Sequence, residues 1–195
     1  MTTKSTKELR DLASLARDFE LAKAYLDHYL AGDIEGDAEY ASPLDAMWMT
    51  AVILYARAFS NGVRHAAKPE LADASSDEVT MHKYVLDVRN KYLAHSVNGF
   101  ENVDAVAFLT ASPFSEPAIT GVGHVHNALS RMDRPSAEAF RKLCRRHLLA
   151  LRRRMESTHI AITQELVDLG THAAYRLKEH STVDIDQSAT DRRRK

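Results

Sequence analysis

The stretch from Pro43 to His65 is apolar on almost every side when it is projected as a helix. A helix that is apolar all round is buried on most sides, so this one must lie inside the fold with other elements packed around it. Ser42 and Pro43 precede it as an N-cap residue and a proline at the first helical position, where helices begin. The sequence therefore predicts a helical domain built round this segment.

Three further segments carry the 3.6-residue periodicity of amphipathic helices, with apolar residues recurring on one face. They are predicted over 4–31, over 76–96 after the Ser75-x-x-Glu78 spacing of a capping box, and from Arg134 to about Leu169 or Leu177. Together with the core helix they make four main helices. The expected fold class is all-α, a four-helix bundle in one domain over residues 1–180.

Between the third and fourth helices the sequence changes to a β-rich pattern. Two runs, Val103–Thr110 and Ala118–His126, are joined by a loop of Ser, Pro and Glu residues. This arrangement predicts a small antiparallel hairpin inserted into the bundle, close to the end of the third helix. The last residues, 181–195, lack apolar side chains and are expected to be a disordered polar tail.

Length and composition exclude several classes of protein. The chain has 195 residues, 45% of them hydrophobic, which is enough for one sizeable core. No apolar run approaches the roughly 18 residues of a membrane span, and the first residues have no apolar signal-peptide region, so a soluble cytoplasmic protein is expected. A single cysteine, Cys144, excludes an internal disulfide and is expected to be a small buried hydrophobe.

Charge is unevenly distributed although the formal net charge is only −1. Residues 131–154 hold nine Lys and Arg residues against Asp133 and Glu138, while residues 17–46 hold eight acids against Arg17 and Lys23. Two interpretations remain open. The basic segment could bind RNA phosphates, or it could be a helix face that pairs with the acidic segment.

The most specific motif is the octapeptide Arg89–Ser96 at the end of the third helix. On a helical projection Arg89 falls within about 100° of five apolar or aromatic residues, so it is predicted to be embedded in the buried stripe and to need a partner there. These residues are Val85, Leu86, Val88, Tyr92 and Leu93. His95 lies about 120° from Arg89, so both side chains could point into one cleft or interface.

An arginine and a histidine placed together suit RNA cleavage without a metal ion. A histidine that titrates near neutral pH can take a proton from a ribose 2′-hydroxyl or give one to the leaving oxygen, and a guanidinium can hold the phosphate as charge builds. A structural alternative stays open. Arg89 could cap carbonyls or pair with a carboxylate, while His95 merely ends the helix.

The pattern Arg89-Asn90-x-x-x-x-His95 resembles the Arg-x(4–6)-His signature of the HEPN superfamily, including the polar residue after the arginine. The preceding segment, 43–65, is similar to the corresponding helix of the abortive-infection branch of that superfamily. The resemblance implies a HEPN-like bundle and a metal-independent endoribonuclease that acts as a dimer. His95 would be the general acid/base, Arg89 would bind the scissile phosphate, and Asn90 would help to orient them. Other members have lost activity and serve as nucleotide-binding or interaction modules, which is the alternative function.

The resemblance also sets expectations for partners. RNA would be the substrate, the setting would be a toxin or phage-defence effector, and a nucleotidyltransferase-like antitoxin is one candidate partner. A homodimer is expected through the core helix and the helix that carries Arg89. Substrate contacts are expected from Tyr92, which could stack on a base, and from Arg57 and Arg64.

Neither a metal nor a cofactor is expected. His124-x-His126 would put two imidazoles on one face of the second strand, but no nearby Cys, Asp or Glu completes a ligand set by its spacing. His82 lies two turns before Arg89 on the same side of the helix. It could support the site or be a hydrogen-bonded core histidine.

Overall fold

The computed structural model describes residues 3–36, 42–60, 69–94, 102–110, 116, 118–127 and 129–177. This part of the chain is mostly helical, with one two-stranded antiparallel sheet between the third and fourth long helices. The elements are α1 (Lys4–Ala31), α2 (Pro43–Arg57), α3 (Ser76–Val88), β1 (Asn102–Leu109), β2 (Ile119–Asn127), α4 (Arg134–Leu169) and the single turn α5 (Thr171–Ala174). The predicted helical bundle with an inserted hairpin is confirmed at this level.

Local capping explains where the helices begin. The Ser42 hydroxyl accepts a hydrogen bond from the Leu44 amide at 3.1 Å, with Pro43 in the first helical turn. At α3, the Ser75 hydroxyl accepts from the Glu78 amide at 3.2 Å, and the Glu78 carboxylate accepts from the Ser75 amide at 2.9 Å. Both predicted starts are confirmed, because a cap needs only residues that are neighbours in sequence.

The helix α2 is the core element that its sequence predicts. Six of its residues are buried: Trp48, Ala51, Val52, Leu54, Tyr55 and Ala56. The helices α1 and α4 run antiparallel, since Arg134 donates to the Leu30 carbonyl at one end and Ser5 donates to Glu165 at the other. Cys144 is fully buried as expected, and burial raises the pKa of its thiol.

Of two helix ends predicted from the apolar pattern, that of α2 differs and that of α4 agrees. The helix α2 was expected to continue to 65 but ends at Arg57, where the Ser60 hydroxyl donates to the Arg57 carbonyl at 2.9 Å and satisfies it. The earlier of the two expected ends of α4, at Leu169, is confirmed. Gly170 follows with φ of 81°, a left-handed conformation that favours glycine and stops the helix.

The hairpin follows the predicted strands to within one residue. Phe108 lies over two glycines of β2, and a Cβ atom at Gly123 would come within 2.8 Å of its ring. A bulge interrupts the register at the far end, where Leu109 pairs with Ile119. The junction with the motif, 95–101, and the expected tail, 181–195, lie outside the described residues. No helix in the described ranges is long and apolar enough to cross a membrane.

Candidate functional site

The motif begins on a π-helical turn, Arg89–Leu93, that continues α3. The Ala94 amide donates to the Arg89 carbonyl at 3.0 Å, a bond that spans five residues instead of four. The sequence predicted ordinary α-helix here, because apolar periodicity does not reveal one wide turn. Such turns are uncommon and occur frequently at functional sites. Beyond Arg89 a projection at 100° per residue therefore no longer gives the side-chain directions.

The prediction that Arg89 is embedded in the buried stripe is wrong. Val85 and Val88 are fully buried, but Arg89 and Asn90 are both exposed. At about 100° per residue Arg89 lies about 40° from Val85 and about 100° from Val88, so it is at the edge of the buried stripe. From this edge the long arginine side chain can extend its charged end into water.

The guanidinium of Arg89 has a neutral polar neighbour. Its Nη1 donates to the Asn90 Oδ1 at 2.8 Å. Asn90 is the polar residue that follows the arginine in the signature. Two of the signature's three polar side chains, Arg89 and Asn90, are therefore in contact. A hydrogen bond donated to a neutral amide oxygen restricts the guanidinium without neutralising its charge. The arrangement leaves a positive charge at the surface, on the turn that leads directly to His95.

The other predicted site residues are distributed differently. Tyr92 is half-buried and packs against the core. Arg57 lies 3.3 Å from the buried carboxylate of Asp18 and so contacts α1, as a salt-bridging arginine would. His95 and Arg64 lie outside the described residues. The structure therefore brings Arg89 together with Asn90, and the pairing of Arg89 with His95 stays a prediction.

The basic segment 131–154 is largely engaged with acids of the same chain. Arg131 makes two hydrogen bonds to Asp45, at 2.9 and 3.2 Å, and this contact lowers the pKa of the Asp45 carboxyl. Further ion pairs are Arg141–Asp27 at 3.5 Å, Arg146–Glu78 at 2.6 Å, Arg152–Glu20 at 3.3 Å and Arg154–Glu8 at 3.3 Å. Three of these five acids, Asp45, Asp27 and Glu20, lie in the acidic segment 17–46, which favours the second interpretation, a helix face that pairs with that segment. Lys142, Arg145 and Arg153 face solvent.

A buried polar cluster joins α2, α3 and α4, and sequence reasoning did not find it. The Tyr55 hydroxyl lies 2.9 Å from Nδ1 of His82 and 3.4 Å from Nε2 of His147. The His147 ring stacks on Phe19 with centroids 4.9 Å apart, and the residue is only 2% exposed. His82 is thus a hydrogen-bonded core histidine, one of its two expected roles. No sequence signal links Tyr55 to His147, which is 92 residues away.

Burial keeps this cluster uncharged at neutral pH. It lowers the pKa of His147 to about 4, lowers the pKa of His82 and raises the pKa of Tyr55. The tyrosine hydroxyl has one proton, so it donates to one imidazole and accepts from the other. A cavity of about 50 Å³ lies beside the cluster, lined by Pro69, Glu70, His147, Ala150, Leu151 and Arg154. The hydrogen bonds of the Tyr55 hydroxyl to His82 and His147 join three helices inside the protein, so the cluster contributes to the packing of the core.

The two histidines of β2 lie at the surface. The rings of His124 and His126 have their centroids 4.9 Å apart. Within the described residues, no group of three or more His, Cys, Asp or Glu side chains is placed to hold a metal ion. The two imidazoles by themselves are too few for a structural zinc site, which takes four ligands.

Comparison of this chain with protein-family models, with curated proteins and with solved structures gives no match.

Proposed function

We propose that this chain is a HEPN-like domain that cleaves RNA as a metal-independent endoribonuclease. The observation that carries the proposal is the exposed guanidinium of Arg89, which Asn90 contacts on a π-helical turn next to His95. In this proposal Arg89 binds the scissile phosphate, Asn90 orients the guanidinium and His95 transfers protons. Tyr92, half-buried on the same turn as Arg89, supplies a ring against which a base can pack.

The contrast between arginines supports the assignment of Arg89. Arg131 is 10% exposed and its two hydrogen bonds go to a carboxylate, so its charge is already neutralised. Arg89 is exposed and donates a hydrogen bond to the amide oxygen of Asn90. The guanidinium of Arg89 therefore keeps its charge available to a phosphate, to which it can donate two parallel hydrogen bonds.

The reaction balances with proton transfer alone. The 2′-oxygen of a ribose loses its proton to an imidazole and bonds to the adjacent phosphorus, while the bond from phosphorus to the 5′-oxygen of the next nucleotide breaks. The leaving 5′-oxygen takes up a proton, and the products are a 2′,3′-cyclic phosphate and a 5′-hydroxyl. In this proposal the His95 imidazole transfers the protons, and Arg89 balances the charge that grows on the phosphate oxygens.

The wider setting follows from the resemblance. We infer that the protein works in the cytoplasm as a homodimer, as a toxin or phage-defence effector. A nucleotidyltransferase-like antitoxin is a candidate partner, and capture of such a protein with the tagged chain would test it.

A second candidate is a non-catalytic binding or dimerisation module with the same fold. Two observations favour it. Five of the nine cations of segment 131–154 pair with acids of the chain, which reduces the surface left for RNA. The hairpin, in addition, exposes apolar side chains that would suit a protein partner.

Cleavage of labelled RNA in the presence of EDTA distinguishes the two candidates. The nuclease yields fragments with 2′,3′-cyclic phosphate ends, and Arg89→Ala removes them. Arg153→Ala is the matched control, because Arg153 is another exposed arginine but lies on α4. Equal cleavage by both variants, or none by the wild-type protein on a panel of RNAs, would favour the non-catalytic module.

A further inference from the structure

Two exposed histidines of β2 lie side by side on one face of the hairpin. Side chains alternate between the faces of a strand, so His124 and His126, which are two positions apart, point the same way. Their ring centroids are 4.9 Å apart and their planes are at 83° to each other. Pairing with β1, in which His124 is opposite Ala105 and His126 is opposite Val103, holds this part of β2 extended. The backbone therefore keeps the two imidazoles on one side before any ligand binds.

The distance between the rings matches that of two imidazoles bound to a single metal ion. A metal ion bonds to an imidazole nitrogen at about 2.0–2.1 Å, and so it lies roughly 3.2 Å from the centre of the ring. Two rings that meet the ion at about 90–110°, as in square-planar or tetrahedral coordination, have centroids roughly 4.5–5.2 Å apart. The observed 4.9 Å falls inside that interval. Turning one nitrogen of each ring toward the ion requires only rotation about side-chain bonds, which exposed residues make readily.

The surroundings of the pair favour a bound cation. Residues 102–127 contain no Lys or Arg, so no positive side chain of the hairpin repels a metal ion. The directly paired neighbours, Val103 and Ala105, are apolar and do not compete for the ring nitrogens. The two buried histidines of the core differ, because each already has a ring nitrogen within hydrogen-bond distance of the Tyr55 hydroxyl.

We propose that His124 and His126 form an exchangeable binding site for a divalent transition-metal ion. Imidazole is a ligand of Cu²⁺, Ni²⁺ and Zn²⁺, whereas Mg²⁺ and Ca²⁺ prefer oxygen ligands, so the site takes the first three ions. Two protein ligands leave the other positions of the ion to water, which distinguishes this site from a structural zinc site with four protein ligands. The inference does not depend on the proposed nuclease, whose reaction uses no metal ion.

Chelation sets the expected affinity. Once one imidazole holds the ion, the second binds it within the same molecule, at a high effective concentration. The pair should therefore bind Ni²⁺ at least about tenfold more tightly than one exposed histidine does. Binding of this kind needs the extended strand, because residues two positions apart in a helix point about 200° away from each other. A bound ion therefore stabilises the folded hairpin.

Isothermal titration calorimetry of the full chain with NiCl₂ tests the site at about pH 7.5, where imidazole is mostly neutral. His124→Ala and His126→Ala are each expected to weaken the tightest Ni²⁺ binding at least tenfold, and MgCl₂ is expected to give no binding to the wild-type protein. His159→Ala is the matched control, because His159 is exposed but lies on α4 with no second histidine within four positions. The control is expected to bind Ni²⁺ as the wild-type protein does. An equal loss in all three variants, or no loss in any of them, would overturn the proposal.

A double variant separates the pairing of the rings from the number of histidines. Val125→His combined with His126→Ala keeps two histidines in β2 but puts them on opposite faces of the strand. It is expected to bind Ni²⁺ as weakly as His126→Ala does, and thermal melting without metal checks that each variant is folded. Electron paramagnetic resonance of bound Cu²⁺ counts the ligands, with two imidazole nitrogens expected in the wild-type protein and one in each single variant. Wild-type affinity in the double variant, or a single nitrogen in the wild-type protein, contradicts the site.

Discussion

Arginines have different partners at two places in the molecule. One place is the interface between α1 and α4, which we call the seam, and the other is the turn that begins at Arg89. Along the seam, Arg141 and Arg152 each lie within 3.5 Å of a carboxylate of α1. At the π-helical turn, Arg89 is exposed and donates to an amide oxygen. A charge that is already paired has been used to join helices, whereas one held by a neutral group keeps its attraction for an anion. The comparison teaches that the count of basic residues is a poorer guide to an RNA site than the partner of each one.

The strongest way to break this comparison is to remove Arg89. Arg89→Ala is expected to reduce RNA cleavage by about 1,000-fold or more and to leave the melting temperature unchanged, since an exposed side chain contributes little to folding. His95→Ala is expected to give the same loss of RNA cleavage and the same unchanged melting temperature. Single-turnover cleavage and thermal melting measured on the same preparations check both. A fall in melting temperature that accompanies the loss of RNA cleavage would mean that Arg89 stabilises the fold instead of binding RNA.

Arg131, which precedes α4 and pairs with Asp45 of α2, is expected to behave in the reverse way because its charge is also paired. The Asp45 side chain is 24% exposed beside Arg131, and Arg131→Ala removes its two hydrogen bonds from the guanidinium, so the free energy of unfolding should fall by about 1–3 kcal/mol. Urea denaturation measures it. Cleavage per folded molecule should not change. If cleavage falls while stability is kept, Arg131 would belong to the RNA site and the comparison would fail.

The buried cluster sharpens the comparison by adding a group that titrates. The native pKa of His147 is about 4 and its ordinary value is 6.5, so between these values the unfolded chain binds more protons than the folded one. The contribution of the neutral His147 to the free energy of unfolding is therefore fully present above about pH 7. It is lost as the pH falls, and the free energy of unfolding is lower by about 2 kcal/mol at about pH 5. His147→Gln should flatten that dependence. An equally steep loss in the variant would assign it to other groups.

The smallest expected loss of stability comes from breaking an exposed ion pair of the seam. Arg152 and Glu20 have side chains that are 55% and 46% exposed, so Arg152→Ala should cost at most about 1 kcal/mol because solvent screens the pair. Added salt should reduce even that difference. Denaturation at low and high ionic strength measures it. A loss as large as that of Arg131→Ala would show that exposure does not decide how much each paired arginine contributes to stability.

Local chemistry explains the predictions that succeeded. The starts of α2 and α3 were predicted because Ser42 and Ser75 cap amides two or three residues away. The apolar pattern left two ends open for α4, Leu169 and Leu177, and the structure has the first, where Gly170 adopts a positive φ of 81°. The end of α2 was missed, because the apolar pattern runs on past Arg57 although the helix stops there.

The candidate site shows where reasoning from one sequence stops. The motif and its neighbour Asn90 were found, but the exposure of Arg89 was not, because a helical projection gives a direction and not the reach of a flexible side chain. The partner of Arg57 was not found either. Asp18 lies on another helix, and only the packing of α1 on α2 brings the two charges to 3.3 Å.

The sequence by itself determined the four main helices, the hairpin between the third and fourth, and the one motif with a chemistry to propose. These depend on periodicity, caps and turn residues, which act over a few neighbouring positions. Only the tertiary structure decided which cations are neutralised, that Tyr55 joins two histidines from different helices, and that the hairpin stands open to solvent. The reason is physical. Ion pairs, buried hydrogen bonds and exposed surfaces arise between residues that are distant along the chain, and folding alone sets those distances.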